Sequence, residues 1–217
     1  MRLRAQGFTL IEIAVVLAIF GLIAAGVLIT GGSVFGRAGV TSLLSSIKDL
    51  AVASRDFKAR YGYFPGDLPK AGDYITTNGG ISPGCSNVLG GLLGNGLVDT
   101  AAESDCALEH LVKAGAASKV DYNSALGKYV ITSGVGAGVT VSLWYDRASN
   151  VNAVRVVNLP CETALEIDRK LDSATTGNTP FNQGSVIAQD ATGVLIAGGN
   201  CSPGALNDPV PVLLIKY

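Results

Sequence analysis

The sequence predicts an α+β protein in which one long N-terminal helix packs on an antiparallel β-sheet domain with short helices and disulfide-stapled loops. Three patterns support this fold class. Residues 13–36 contain no charged side chain. Apolar residues then recur at three- and four-residue steps from Val40 to Phe57, as on one face of an amphipathic helix. Short β-branched runs separated by glycines follow from residue 129, a pattern typical of strands.

The uncharged run has the length of a membrane-spanning helix. Its 24 residues would measure roughly 36 Å as a helix, against about 30 Å for a bilayer core. Arg2 and Arg4 precede it and favour a cytoplasmic N-terminus. We therefore expect residues 8–36 to contact inner-membrane lipid. A secretory signal peptide would have a shorter apolar region of about 7–15 residues, and a plain anchor gives no reason for Glu12 at the edge of the run.

The helix is predicted to continue as an amphipathic half, residues 37–61, and to stop before Gly62 and Pro65. Residues 62–217 then form one globular domain on the non-cytoplasmic side. Within it we expect a long loop over residues 72–100. The predicted helices are 101–114 and 160–172, and the predicted strands are 129–132, 139–145, 153–157, 193–197 and 210–217.

The four cysteines all follow the uncharged run, and their even number on the non-cytoplasmic side favours two disulfides. Three pairings are possible. We prefer Cys85–Cys106 and Cys161–Cys201 because each closes a local loop rich in glycine and proline. No CxxC pair or cysteine–histidine cluster is present, so no zinc site is expected. The formal net charge is −1 without a basic cluster, which argues against nucleic-acid binding.

The N-terminal residues Gly7-Phe8-Thr9-Leu10-Ile11-Glu12 resemble the start of type IV prepilins and type II secretion pseudopilins. The resemblance implies a pilin-like fold, with residues 1–7 as a leader that prepilin peptidase removes between Gly7 and Phe8. It also implies that Phe8 is N-methylated and that Glu12 neutralises the new N-terminus of a neighbouring subunit. Because breaking a desolvated charge pair is costly, this pair can set the register between subunits.

A second resemblance covers the following residues to about position 115. The Pro65-Gly66-Asp67 turn, the Gly94-Asn95-Gly96 turn and the His110-Leu111 pair are similar to a large bacterial subset of prepilin-like proteins. Those relatives usually carry Asp-Asp-Gly farther along the chain. Here Ser173 and Ala174 follow Asp172, so any loop chemistry attached to that pattern is not carried over.

Few residues in the predicted domain indicate chemistry. His110 is the only histidine, and we interpret it as a packing or capping residue. Calcium prefers oxygen ligands on flexible loops, and some pseudopilins bind it near the C-terminus. The equivalent stretch here, residues 198–208, offers only Asn207 and Asp208. The other candidate ligands are Asp67, Asp73, Asp99, Glu103 and Asp105, although solvated loop carboxylates are the default interpretation. We expect no cofactor.

Three functions remain open from the sequence. The first is a structural subunit of a type IV pilus or type II secretion pseudopilus, whose partners are prepilin peptidase, the inner-membrane assembly platform and other pilin or pseudopilin subunits. The second is a minor pilin that binds a ligand, DNA or a surface while it primes the filament. The third is a membrane-anchored periplasmic enzyme, for which no catalytic constellation is found. In the first two, the globular domain is periplasmic and is later displayed on the filament.

Overall fold

The computed structural model describes residues 10–87, 94–131, 134–135, 138–147, 149–172, 184–189 and 209–217, with backbone alone for 23–37, 209 and 211. The chain divides into two compact units, Met1–Ala38 and Gly39–Tyr217. Cys201 and the predicted strand 193–197 lie outside the described residues, as does the calcium stretch 198–208.

The longest element is helix α1, Leu10–Tyr61, with 52 residues. No helix in the described part of the chain is both long and apolar enough to cross a membrane. The predicted membrane half, residues 8–36, falls largely on residues whose side chains are not described. The helix ends in basic Lys58 and Arg60, which suit the negative end of the helix dipole. Gly62 then adopts a φ of +80° and donates its N–H to the Lys58 carbonyl at 2.8 Å, a common helix stop.

In the second unit, the amphipathic part of α1 buries one face in the main hydrophobic core. Val40, Leu43, Ile47, Leu50 and Phe57 of the three- and four-residue pattern are buried there, together with Ala53. The opposite face carries Lys48, Asp49 and Arg55 in solvent. Burial of these side chains attaches this part of the helix to the domain, since each fully buried Val, Leu, Ile or Phe side chain contributes about 1.5–3 kcal/mol.

The remaining elements are short. The helices are α2 Ala71–Tyr74, α3 Pro83–Ser86, α4 Ala101–Lys113 and α5 Cys161–Leu171. The strands are β1 Asp121–Asn123, β2 Lys128–Val130, β3 Thr140–Asp146, β4 Val151–Pro160, β5 Val186–Gln189 and β6 Pro209–Lys216. β1 and β2 form a two-stranded antiparallel sheet, and the other four form an antiparallel sheet in the order β3-β4-β6-β5. The predicted α+β class with antiparallel sheets is confirmed.

The four-stranded sheet turns one face toward the core that contains α1. Leu143 pairs with Val154, and Val154 pairs with Ile215 across β3, β4 and β6. All three are at most 5% exposed and belong to the same core as α1. On the other face, Leu214 and Ala153 form a smaller apolar cluster against which Trp144 packs. This two-sided burial explains why β6 reads as a nearly continuous apolar run.

Several element predictions were wrong in detail. β1 and β5 were not predicted, because Asp-Tyr-Asn has no apolar alternation and Val-Ile-Ala-Gln is too short to be distinguished from a loop. Pro160 does not open α5 but ends β4, pairing with Pro209, and α5 begins at Cys161. The expected loop 72–100 contains the single turns α2 and α3 in its described part.

Candidate functional site

The N-terminal motif is the first candidate site. Gly7 and Phe8, the predicted cleavage and methylation residues, lie outside the described residues. Glu12 lies in the first turn of α1, where a carboxylate is favoured by the positive end of the helix dipole. Around it, large apolar side chains are exposed on all sides of the helix. They are Leu10, Ile11, Ile13, Val15, Val16, Leu17, Ile19, Phe20 and Leu22, each at least 48% exposed.

A helix that is apolar all round is stable only in an apolar environment, either lipid or other helices. The exposed apolar surface of residues 10–22 therefore needs lipid or other helices around it. Glu12 is the acidic residue in the first turn of this apolar surface.

The second candidate site is a buried polar cluster in the globular unit, built from four separate stretches of chain. We call it the Asp67–His110 cluster, comprising Gly66, Asp67, Cys85, residues 94–96 and His110. Both Asp67 and His110 are completely buried. Buried polar groups of this kind are stable only when they are hydrogen-bonded.

Asp67 fixes the Gly-Asn-Gly turn through its carboxylate. Its oxygens accept the backbone N–H groups of Gly94 at 2.6 Å, Asn95 at 3.2 Å and Gly96 at 2.8 Å. The Asp67 carbonyl accepts a second hydrogen bond from Gly94 at 2.9 Å. Burial raises the pKa of Asp67, and the three backbone donors oppose that effect while nearby Glu103 adds to it. The aspartate thus replaces water as the partner of an otherwise irregular turn.

His110 connects the Asp67 loop to the disulfide loop. Its Nδ1 accepts the N–H of Gly66 at 2.9 Å, so the proton is on Nε2, which donates to the Cys85 carbonyl at 2.9 Å. Burial lowers the pKa of His110, with smaller opposing effects from the Cys85 carbonyl and Glu109. The imidazole is therefore neutral at pH 7, and both of its nitrogens are occupied. In this arrangement it is a structural link and is not positioned as a general base.

Only glycine fits at position 66. Its φ is +93°, and an added Cβ would lie 2.2 Å from the Glu103 carbonyl oxygen and 2.9 Å from the Glu103 carbonyl carbon. The loop backbone therefore packs directly on the first turn of α4, which brings the Gly66 N–H within reach of His110. This close approach was not predicted from the sequence, although a glycine directly before the buried aspartate is the signal that could have indicated it.

The disulfide loop is attached to the same helix. Cys85 and Cys106 form a disulfide with a Cα–Cα distance of 5.3 Å, the pairing that the sequence favours. Glu109 accepts hydrogen bonds from both the backbone N–H and the hydroxyl of Ser82. Cys161 is disulfide-bonded as well, while its expected partner Cys201 lies outside the described residues.

The candidate calcium ligands do not converge on one point. Asp67 holds the Gly-Asn-Gly turn, Asp73 is exposed, Asp99 pairs with Arg147 and Asp105 pairs with Lys128. Glu103 caps α4 by accepting the Thr100 N–H at 3.0 Å while its own N–H donates to the Thr100 hydroxyl. Within the part of the chain that the structure describes, no group of three or more histidine, cysteine, aspartate or glutamate side chains could hold a metal ion.

Comparison with known proteins identifies the N-terminal segment. The family model of the prokaryotic N-terminal methylation motif matches residues 2–28. This motif is the signature of type IV prepilins and pseudopilins. The resemblance of residues 7–12 to the start of those proteins is therefore confirmed. The motif implies processing by prepilin peptidase and assembly with other pilin subunits. No curated protein and no solved structure matches the chain significantly.

Proposed function

We propose that this protein is a structural, non-enzymatic subunit of a type IV pilus or type II secretion pseudopilus, with a pilin-like fold. The observation that supports the proposal most directly is the methylation motif at residues 2–28. The helix Leu10–Tyr61 supports it as well. In this proposal, α1 anchors the processed protein in the inner membrane and later packs against the α1 helices of other subunits in the filament core.

The exposed apolar surface of residues 10–22 supports this use of the helix. Its side chains would contact lipid before assembly and neighbouring helices afterwards, so the apolar surface is never left in water. Cleavage after Gly7 would create a cationic N-terminus at Phe8, and its N-methylation would retain the positive charge. Glu12 of an adjacent subunit would neutralise that cation inside the apolar bundle, and misregistered packing would leave both charges unpaired at a cost of about 3–5 kcal/mol.

Processing is tested by the intact mass of the protein purified from its native membrane. We expect loss of residues 1–7 and the addition of one methyl group at Phe8. A Gly7→Leu variant is the control, and it should retain the leader because the residue before the cut is changed. An unprocessed wild-type N-terminus would refute the proposal.

Assembly is tested separately with Glu12→Ala, scored by filaments recovered from sheared cells or from an overexpressed secretion system. We expect the variant to be inserted and processed normally and to yield at least about tenfold less filament, because the buried Phe8 cation then lacks its partner. Glu162→Ala removes an exposed carboxylate from α5 and should leave assembly unchanged. Normal filaments from Glu12→Ala would remove Glu12 from the proposed role. Counting copies per filament distinguishes a major from a minor subunit.

A further inference from the structure

A cavity of about 120 Å³ with both polar and apolar lining lies in the globular unit, between α4, β2 and strands β3 and β4 of the larger sheet. Such a volume is several times the roughly 10–15 Å³ that one water requires. Arg155, Lys128, Ser142 and Thr140 supply polar groups to its lining, while Leu108 and Val157 supply apolar ones. The cavity shares no lining residue with the Asp67–His110 cluster.

Arg155 is the charged residue of this cavity without a counter-ion among the described residues. Among the described residues no carboxylate lies within ion-pair distance of its guanidinium, and no hydrogen bond joins it to another group. The side chain is half-buried, and this desolvation lowers its pKa. Its guanidinium carbon lies 5.0 Å from the centre of the Trp144 ring, which fixes the orientation of the planar group. A half-buried guanidinium without a counter-ion favours an anion as ligand.

The surrounding groups indicate which anion. Ser142 is paired directly with Arg155 across β3 and β4, so its hydroxyl and the guanidinium lie on the same face of the sheet. Lys128 is already paired with Asp105 at 2.9 Å, which leaves one net positive charge in the cavity. A single carboxylate balances that charge and matches the bidentate geometry of the guanidinium. The apolar lining residues, which include Leu108 and Val157, suit a short apolar stem.

We propose that this cavity binds a carboxylate carried on a short aliphatic stem, held by Arg155 and Ser142. The ligand is either a free short-chain acid or an aspartate or glutamate side chain of another protein segment. This site does not depend on the proposed pilus function, because it lies in the globular unit and can be measured on unassembled protein.

Trp144 provides a direct assay, because it is the only tryptophan of the chain and is in contact with Arg155. The full-length protein in detergent micelles is titrated at constant ionic strength with butyrate, with uncharged butyramide, with phosphate and with the blocked peptide acetyl-Gly-Glu-Gly-amide. We expect a saturable change in Trp144 fluorescence with butyrate, with the peptide or with both, and none with butyramide. A response to butyrate alone identifies a free acid as the ligand, and a response to the peptide alone identifies an acidic side chain.

Variants separate the site from general charge effects. Arg155→Gln should weaken carboxylate binding at least about tenfold, because it removes a charged hydrogen-bonding partner. Arg155→Lys keeps the charge but loses the bidentate geometry and should also weaken it, and this variant replaces the first if Arg155→Gln does not fold. Arg147→Gln changes an exposed arginine that pairs with Asp99 and should bind as the wild type does. The proposal is overturned by any of three results: no saturable response to either carboxylate, equal binding by the Arg155 variants, or phosphate binding as tightly as the carboxylate that responds.

Discussion

Replacing Gly66 by alanine tests whether the Asp67–His110 cluster holds the globular unit together. The new Cβ would overlap the Glu103 carbonyl group at 2.2 Å, a contact with helix backbone that no side-chain rotation can relieve. The loop must therefore move away from α4. That movement breaks the 2.9 Å hydrogen bond from Gly66 to His110 and leaves a buried donor and acceptor without partners.

The size of the effect follows from comparison with Gly62→Ala. Gly62 has a similar φ of +80°, but nothing lies within 4 Å of its added Cβ. Both variants therefore carry the backbone strain of a positive φ, about 1–3 kcal/mol. Only Gly66→Ala adds the lost buried hydrogen bond, about 1–3 kcal/mol, and overpacking of about 1–3 kcal/mol. We expect Gly66→Ala to be less stable than Gly62→Ala by at least about 2 kcal/mol.

The assay is thermal unfolding of the full chain in detergent micelles, followed by Trp144 fluorescence, since Trp144 lies on β3 in the globular unit. For a domain of this size, a difference of 2 kcal/mol corresponds to a Tm difference of about 4–8 °C. Equal Tm values for the two alanine variants would show that the close approach of Gly66 to α4 contributes nothing. The argument for the cluster as a structural link would then be wrong.

Three further predictions concern the same region. Asp67→Asn places an amide N–H₂ against one of the three backbone donors. It should lower the free energy of unfolding, measured by urea denaturation, by about 1–3 kcal/mol. A smaller loss than for the exposed control Asp73→Asn would contradict this prediction. Because the pKa of His110 is lowered in the folded state, the unfolded chain binds a proton first as the pH falls below about 6.5. Stability should therefore decrease from pH 7 to pH 5, and this decrease should be smaller in His110→Gln; an identical pH dependence of Tm in both proteins would refute the assignment. The double variant Cys85→Ser/Cys106→Ser opens a loop with a separation of 21 residues and should lose about 3 kcal/mol, and an unchanged urea midpoint would exclude that contribution.

The parts of this fold that could be predicted from the sequence depend on local pattern. The buried positions of α1, such as Leu43 and Phe57, follow from the 3.6-residue period because the helix presents one face to the core. The stop at Tyr61 follows from Gly62, which adopts the positive φ that ends the helix. The Cys85–Cys106 disulfide also closes a local loop. In each case the relevant partners are close in sequence or share a repeating pattern.

The arrangement of the cluster could not be predicted, because it depends on contacts between distant residues. Gly66 and His110 are 44 positions apart, and Asp67 is 27 positions from Gly94. The resemblance noted in the sequence groups these residues, but it does not indicate that the aspartate binds the backbone of the Gly-Asn-Gly turn. The same limit applies to Arg155, which meets Ser142 only through the register of β3 and β4.

His110 also reaches the end of α1, which gives the cluster a role beyond local loop structure. Its ring stacks on Phe57 with ring centroids 6.2 Å apart, and Phe57 in turn packs on Tyr61 at 4.5 Å. One neutral imidazole therefore contacts the last turns of α1, the Gly66 loop and the carbonyl of disulfide-bonded Cys85. Because a buried network is stable only when every member is satisfied, loosening any one of these segments weakens the attachment of the others. The end of α1 is thus fixed to the globular unit by a polar network as well as by its apolar face.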